Sequence, residues 1–226
     1  MSILAPPVQE VAHPRAMVLV AGGVSGFVLA LLTLLVVVEW SPLLAADQRI
    51  DSAIHDWALQ TPVAVDVSRW LQRVGDTDNA TVAVVVTVVV LLVARRWWLA
   101  LTVAVVGALA PLATTLLKPV VDRPRPVWAV PIETINQPSF PSGHATGGIA
   151  VWMVCGIAIG SLLRDPALGA LVALPFVVLG VAIGLSRLVL GVHWPSDVAA
   201  GWAVAVCVTC IAGALFLASA ERPVLR

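Results

Sequence analysis

Long apolar blocks alternate with short polar ones along this chain. Six runs, approximately 17 to 39, 79 to 94, 97 to 117, 145 to 163, 167 to 185 and 197 to 218, are apolar enough to be predicted as transmembrane helices, since a span needs roughly 20 such residues. The first run is longer than the roughly 7 to 15 residue core of a secretion signal and is followed by no convincing small-x-small cleavage site, so it is predicted as a retained span. Only Arg95 and Arg96 separate the second and third runs, and only Arg164, Asp165 and Pro166 the fourth and fifth, which makes both pairs tight hairpins. Residues 41 to 78 are too polar to span. Within them Ile50, Ile54, Trp57 and Ala58, then Val63, Val67, Trp70 and Leu71, follow the i, i+4, i+7, i+8 spacing of amphipathic helices. Two short helices are predicted along the outer surface, either covering the bundle or gripping a substrate. Gly22 with Gly26, Gly156 with Gly160 and Gly180 with Gly184 put small residues four apart, a spacing for close helix packing within the bundle or between subunits. The expected fold is all-α: a polytopic membrane bundle of six transmembrane helices with short amphipathic helices in the first outer loop, forming one domain over residues 1–226.

Composition agrees with a membrane protein, at 60% hydrophobic residues, 12% charged and a mean hydropathy of +0.99. Thirteen basic and thirteen acidic residues cancel, so no basic field exists to hold nucleic acid, and nucleic acid is excluded as a partner. Cys155, Cys207 and Cys210 all lie in apolar runs, where a thiol packs as a small hydrophobe, and the C-x-x-C formed by the last two is read as packing. Lysine and arginine counts do not separate the two topologies. Their distribution does, because the short loops on the side of the N-terminus are almost purely basic (Arg95, Arg96, Arg164) while the opposite segments mix cations with acids. The expected placement is a multi-pass plasma membrane protein with cytoplasmic termini. Trp40, Trp97, Trp98, Trp128 and Trp194 lie near span ends, as interfacial anchors do.

Charged and polar residues near a bilayer are costly, so clusters at span ends need a reason. There are three: KPVVDRPRP at 118–126, PSGH at 141–144 and SRLVLGVHWPSD at 186–197. Counting crossings puts all three on one face. Lys118, Arg125 and Arg187 would then surround one point, and the guanidinium fork matches phosphate oxygens two at a time. Pro119, Pro124 and Pro126 are expected to keep Lys118 and Arg125 off one continuous helix, so that the loop folds back. Ser142 is placed to cap the fourth span, and Gly143 to let a ligand approach the backbone. His193 precedes Asp197 by four residues, so the carboxylate can reach one ring nitrogen and leave the other as a nucleophile toward phosphorus. His144 then serves as general acid to the departing oxygen and as base to water, which predicts a bell-shaped pH profile. One well-placed carboxylate among several cations would repel a divalent ion, so neither a metal nor a cofactor is expected. His55 is read as a solvated surface residue and His13 as part of a polar tail. Asp122 and Arg123 are expected to pair with each other or with water, and Glu39 to snorkel.

Lys118 with Arg125 and Pro126 reads K-x6-R-P, residues 141–144 read P-S-G-H, and Ser186, Arg187, His193 and Asp197 read S-R-x5-H-x3-D. This resembles the three-part signature of the type 2 phosphatidic acid phosphatase superfamily, over residues 118–197. The resemblance implies that Lys118, Arg125, Ser142, Gly143 and Arg187 bind the phosphoryl group, that His193 forms a phosphohistidine oriented by Asp197, and that His144 serves the leaving group. It implies a metal-independent enzyme acting on a membrane lipid phosphate, of the undecaprenyl diphosphate, phosphatidic acid or phosphatidylglycerophosphate type, with its site on the outer face. The same pocket occurs in soluble vanadium-dependent haloperoxidases, against which six apolar runs argue. A phosphotransferase using the same histidine and a non-catalytic lipid-phosphate binder or transporter are the alternatives. A lipid phosphate substrate and membrane lipids are the expected partners; oligomeric state is open, a homodimer included.

Overall fold

A computed structural model describes residues 14–220; His13, Arg222 and Arg226 lie outside the described residues. Helix α1 (Pro14–Val37) is followed by two shorter helices, α2 (Ser41–Leu59) and α3 (Pro62–Gly75), and then by α4 (Thr77–Val93) and α5 (Trp97–Val121). The next span is composite, with α6 (Gly143–Gly147), a π-helical stretch over Gly148–Met153 and α7 (Val154–Gly160) in series. Helices α8 (Pro166–Val189) and α9 (Pro195–Ala220) complete the bundle. The apolar runs and the helices agree within a few residues. Among the described residues five stretches are long and apolar enough to cross a membrane, and six when the bent pair α3–α4 counts as one. Helix α4 has 17 residues, or about 25 Å at the α-helical rise, so it matches a hydrocarbon core of about 30 Å only together with the end of α3. The chain is a multi-pass membrane protein.

Small residues set how closely the spans approach. A Cβ on Gly148 would lie 2.4 Å from the Gly180 carbonyl oxygen, and one on Gly160 would lie 2.4 Å from that of Gly169. The composite span and α8 therefore touch backbone to backbone at two levels. Gly22 on α1 faces Cys210 and Gly26 faces Cys207, whose thiol donates weakly to the Gly22 carbonyl. The four-residue spacings thus serve packing inside the bundle, and the two cysteines pack as expected.

Of the apolar positions on α2 and α3, Ile50, Trp57, Val63, Val67 and Trp70 are exposed, whereas Ala58 is buried and Ile54 packs on the bundle. The buried face of α2 is Asp47, Asp51, His55 and Ala58, and α3 lies along α8 with Val65, Ser68 and Gly75 inward. In a protein surrounded by lipid the apolar stripe has a favourable outer environment, whereas carboxylates gain only from partners inside. Lys118 and Arg125 do not share a helix, as expected: Arg125 is in an irregular segment, and Pro119 lies inside α5, which continues to Val121. It stops one residue later, where Asp122 takes the left-handed conformation at φ 46°, and Pro124 and Pro126 keep the following segment irregular.

Candidate active site

The three polar clusters meet at one end of the bundle. Lys118, on the last turn of α5, donates from Nζ to the Pro138 carbonyl at 2.6 Å, and Arg125 donates to the same oxygen from Nη2 at 3.3 Å. Arg125 also donates from Nε to Gln137 O at 2.6 Å and from Nη1 to Val192 O, joining the first cluster to the third. Burial, with Arg187 close by, lowers the Arg125 pKa to about 10, which leaves it cationic at neutral pH. Arg187, near the end of α8, is 1% exposed. It meets Glu133 at 3.5 Å through Nη2, while its Nε and Nη1 are buried without a hydrogen-bond partner. It lies close enough to Lys118, Arg125, His144 and His193 to act on the charge of each.

Ser142 caps α6 as expected, accepting from Ala145 N on its Oγ at 3.4 Å, and its own N–H donates to Asp197 O at 3.0 Å. This ties the second cluster to the third. A Cβ on Gly143 would meet nothing within 4 Å, so the space beside that backbone is open.

His193 follows a turn in which Gly191 takes φ 68°, a conformation open to glycine, with its carbonyl held by Trp128 Nε1 at 2.9 Å. Its Nε2 lies 3.1 Å from Arg125 Nη1. A guanidinium only donates, so Nε2 accepts and the ring proton sits on Nδ1. Burial drives the His193 pKa down to about 3 against the opposing influence of Asp197, so the ring is neutral. Nδ1 is 3.5 Å from Asp197 Oδ2, too long and too poorly aligned for a formed hydrogen bond. Contacts of this kind are often loose before substrate binds. The carboxylate is anchored elsewhere: Oδ2 accepts from Trp194 N at 2.9 Å and Oδ1 from Arg123 Nη1 at 2.6 Å.

Arg123 corrects the sequence expectation. It does not pair with Asp122, which is exposed, but is buried between two other carboxylates. Nη1 donates to Asp197 and to Ser196 Oγ at 2.7 Å, and Nη2 donates to Asp47 Oδ2 at 2.7 Å. Asp47 in turn accepts from Ser196 N at 2.9 Å and from its hydroxyl. Helix α2 thus reaches the support of His193 through one arginine. His55 is corrected as well: it is buried and stacks on Trp128, with centroids 4.1 Å apart and planes 8° from parallel. Asp51, one turn earlier, is fully buried with both oxygens unpartnered, and burial, then Asp197 and Asp47, raise its pKa to about 7.

His144 stands at the start of the composite span, with Nε2 3.1 Å from Asp76 Oδ1. Sequence reasoning missed Asp76, Asp47 and Glu133. A signal existed for the second, because Asp47, Asp51 and His55 recur every four residues as a polar stripe. Asp76 could have been noticed as the residue just before α4. Glu133, in an irregular loop, carried no signal.

The chain is similar to known proteins over this region. The sequence pattern of the PAP2 superfamily matches residues 95–219. Decaprenylphosphoryl-5-phosphoribose phosphatase of Mycobacterium tuberculosis is 42% identical over 113 residues, 48% of this chain and 57% of that protein. Undecaprenyl-diphosphatase BcrC of Bacillus subtilis is 32% identical over 108 residues, 46% of this chain and 51% of that protein. The chain thus spans little more than half the length of these curated relatives. In fold it is similar to the crystal structure of a transmembrane PAP2 type phosphatidylglycerolphosphate phosphatase from Bacillus subtilis, with a TM-score of 0.72 at 24% identity over 88% of this chain and 97% of that one. With more than half of its residues matched, and the matched part holding all three polar clusters, the chain belongs to the PAP2 superfamily.

Proposed function

We propose that this protein is a metal-independent membrane phosphatase that removes phosphate from a lipid phosphate or diphosphate through a phosphohistidine at His193. One observation carries the reading: Arg187 is 1% exposed and keeps two buried donors without partners, beside two further cations and two histidines. Burying guanidinium N–H donors without acceptors is unfavourable, and the oxygens of a tetrahedral dianion would satisfy them. Lys118 and Arg125 donate to the carbonyls of residues 137, 138 and 192. A phosphoryl group would draw them inward and release His193 Nε2 from Arg125. Neutral His193, its Nδ1 proton directed at Asp197, would then attack phosphorus, and His144 would protonate the departing oxygen and later take a proton from water.

The names of the relatives, and a groove between α4 and α5, support a lipid as the substrate. The groove encloses about 480 Å³, begins at Gly75 and Gly143 beside Asp76 and His144, and continues along Val84, Val88, Gly107 and Pro111. Such a slot suits one apolar tail. The basic short loops at Arg95–Arg96 and Arg164 favour the inner face for their own end of the bundle, which supports an outward-facing site at the other end. The test is phosphate release from polyprenyl diphosphate and from phosphatidic acid by purified protein in excess chelator. Activity is expected to persist in chelator and to disappear in His193→Ala; release by that variant at the wild-type rate would end this reading.

A further inference from the structure

Asp76 is the N-cap residue of α4, where an aspartate ordinarily turns its carboxylate onto the first N–H groups of its own helix. Here the side chain makes no such bond. Oδ1 lies instead 3.1 Å from His144 Nε2. The backbone is shaped for this contact. Helices α3 and α4 meet at 52°, and Gly75 at the corner has no room for a side chain: a Cβ there would lie 2.5 Å from Ile183 Cγ2 and 3.2 Å from His144 Cδ2. The imidazole therefore rests against the corner itself, with the carboxylate at its edge. Asn79 braces the turn by donating from Nδ2 to Arg73 O at 2.6 Å.

We propose that Asp76 is a positioning residue for the leaving-group step: it holds His144 through Nε2 and so leaves Nδ1 to deliver the proton to the departing lipid oxygen. This deepens the phosphatase reading and rests on it. In the first half-reaction His193 Nε2 forms a bond to phosphorus as the phosphorus–oxygen bond to the lipid breaks. The departing oxygen takes the proton from His144 Nδ1, giving a lipid alcohol and a neutral ring. In the second, water adds to phosphorus and gives a proton to Nδ1 while the phosphorus–nitrogen bond breaks, releasing phosphate and restoring both histidines. Asp76 exchanges no proton. Its charge accompanies an imidazolium that would otherwise stand beside Arg187 without a counter-ion. The groove between α4 and α5 opens at Gly75, Thr77 and Gly143, so a tail lying in it would bring the leaving group to this side of the site.

The experiment compares Asp76→Asn, Asp76→Glu and wild type, as full-length protein in detergent, on two monoesters. A long-chain alkyl phosphate has a leaving group that needs a proton; p-nitrophenyl phosphate has one that departs as the anion. For Asp76→Asn, kcat on the alkyl phosphate is expected to fall roughly 10- to 100-fold with KM within about twofold, while the burst of p-nitrophenolate changes by less than about threefold. Asp76→Glu recovers most of the alkyl rate. Both rates come from one preparation, so their ratio does not depend on the fraction folded. Equal losses on both substrates, or no loss on the alkyl phosphate, overturn the role of Asp76 while His193→Ala, inactive on both, upholds the phosphatase reading. A His193→Ala variant as active as wild type overturns both.

Discussion

Arg123→Ala is expected to reveal how strongly α2 is tied to the support of His193. The substitution removes donations to Asp47, Asp197 and Ser196 and strands two carboxylates that are 2% and 0% exposed. Removing one partner of a buried ion pair costs about 3–5 kcal/mol, and one cation serving two acids points to the upper end. At about 2–4 °C per kcal/mol for a chain of this size, the midpoint of thermal inactivation should drop by about 10 °C or more. Asp47→Asn in the wild type should cost less, about 1–2 kcal/mol, because Arg123 keeps Asp197 and the amide can still accept from Ser196 N. In the Arg123→Ala background the same change removes a stranded charge, so it should raise the midpoint. The assay is the fraction of monodisperse protein surviving a temperature series in detergent, by size-exclusion chromatography, for the four members of the cycle. If Asp47→Asn lowers the midpoint equally in both backgrounds, the two residues are uncoupled and the network is not what holds this corner.

Three further outcomes follow from the site and the packing. His193, lowered to about 3, should remain neutral at pH 5 in ¹⁵N-histidine NMR spectra; the unfolded chain binds its proton more readily, so this group costs stability as pH falls from about 6.5 toward 3, and a ring titrating near 6.5 would contradict the burial argument. Asp51, raised to about 7, contributes stability that is fully present below about pH 4 and lost as pH rises to 7. The midpoint of Asp51→Asn relative to wild type should therefore climb across that window and level off above it, and a difference that does not vary with pH would refute this. Gly148→Val should abolish monodisperse protein because its Cβ would enter the Gly180 carbonyl, whereas Gly23→Ala, with nothing within 4 Å, should be silent; similar behaviour of the two would contradict the contact between the spans.

Apolar length and short basic turns made the spans legible, since crossing hydrocarbon constrains many consecutive residues at once. The convergence of Lys118, Arg125, His144, Arg187 and His193 was legible as well, because counting crossings put their segments on one side. The surroundings of these groups were not. Periodicity marked the apolar stripe of α2 but could not say that Ile50 and Trp57 would stay exposed, and so it hid the inward role of Asp47 and the burial of His55. Asp122 and Arg123 are neighbours in sequence, yet the left-handed turn at Asp122 sends the two side chains to different environments. The place of Asp76 just before α4 was legible, but its contact with His144 depended on a 52° bend between α3 and α4 that the sequence did not announce.

The most direct test is a rapid-quench experiment. Wild-type protein and the His193→Ala and His144→Ala variants are mixed with a ³²P-labelled lipid phosphate, stopped in alkali within the first turnover, and digested for peptide mapping. An acid-labile phosphoryl group on the peptide bearing residue 193 is expected in the wild type, none in His193→Ala, and a longer-lived one in His144→Ala when the lipid leaving group is replaced by p-nitrophenolate. Phosphate released in the first turnover with no labelled protein, or label on a different residue, would contradict the account.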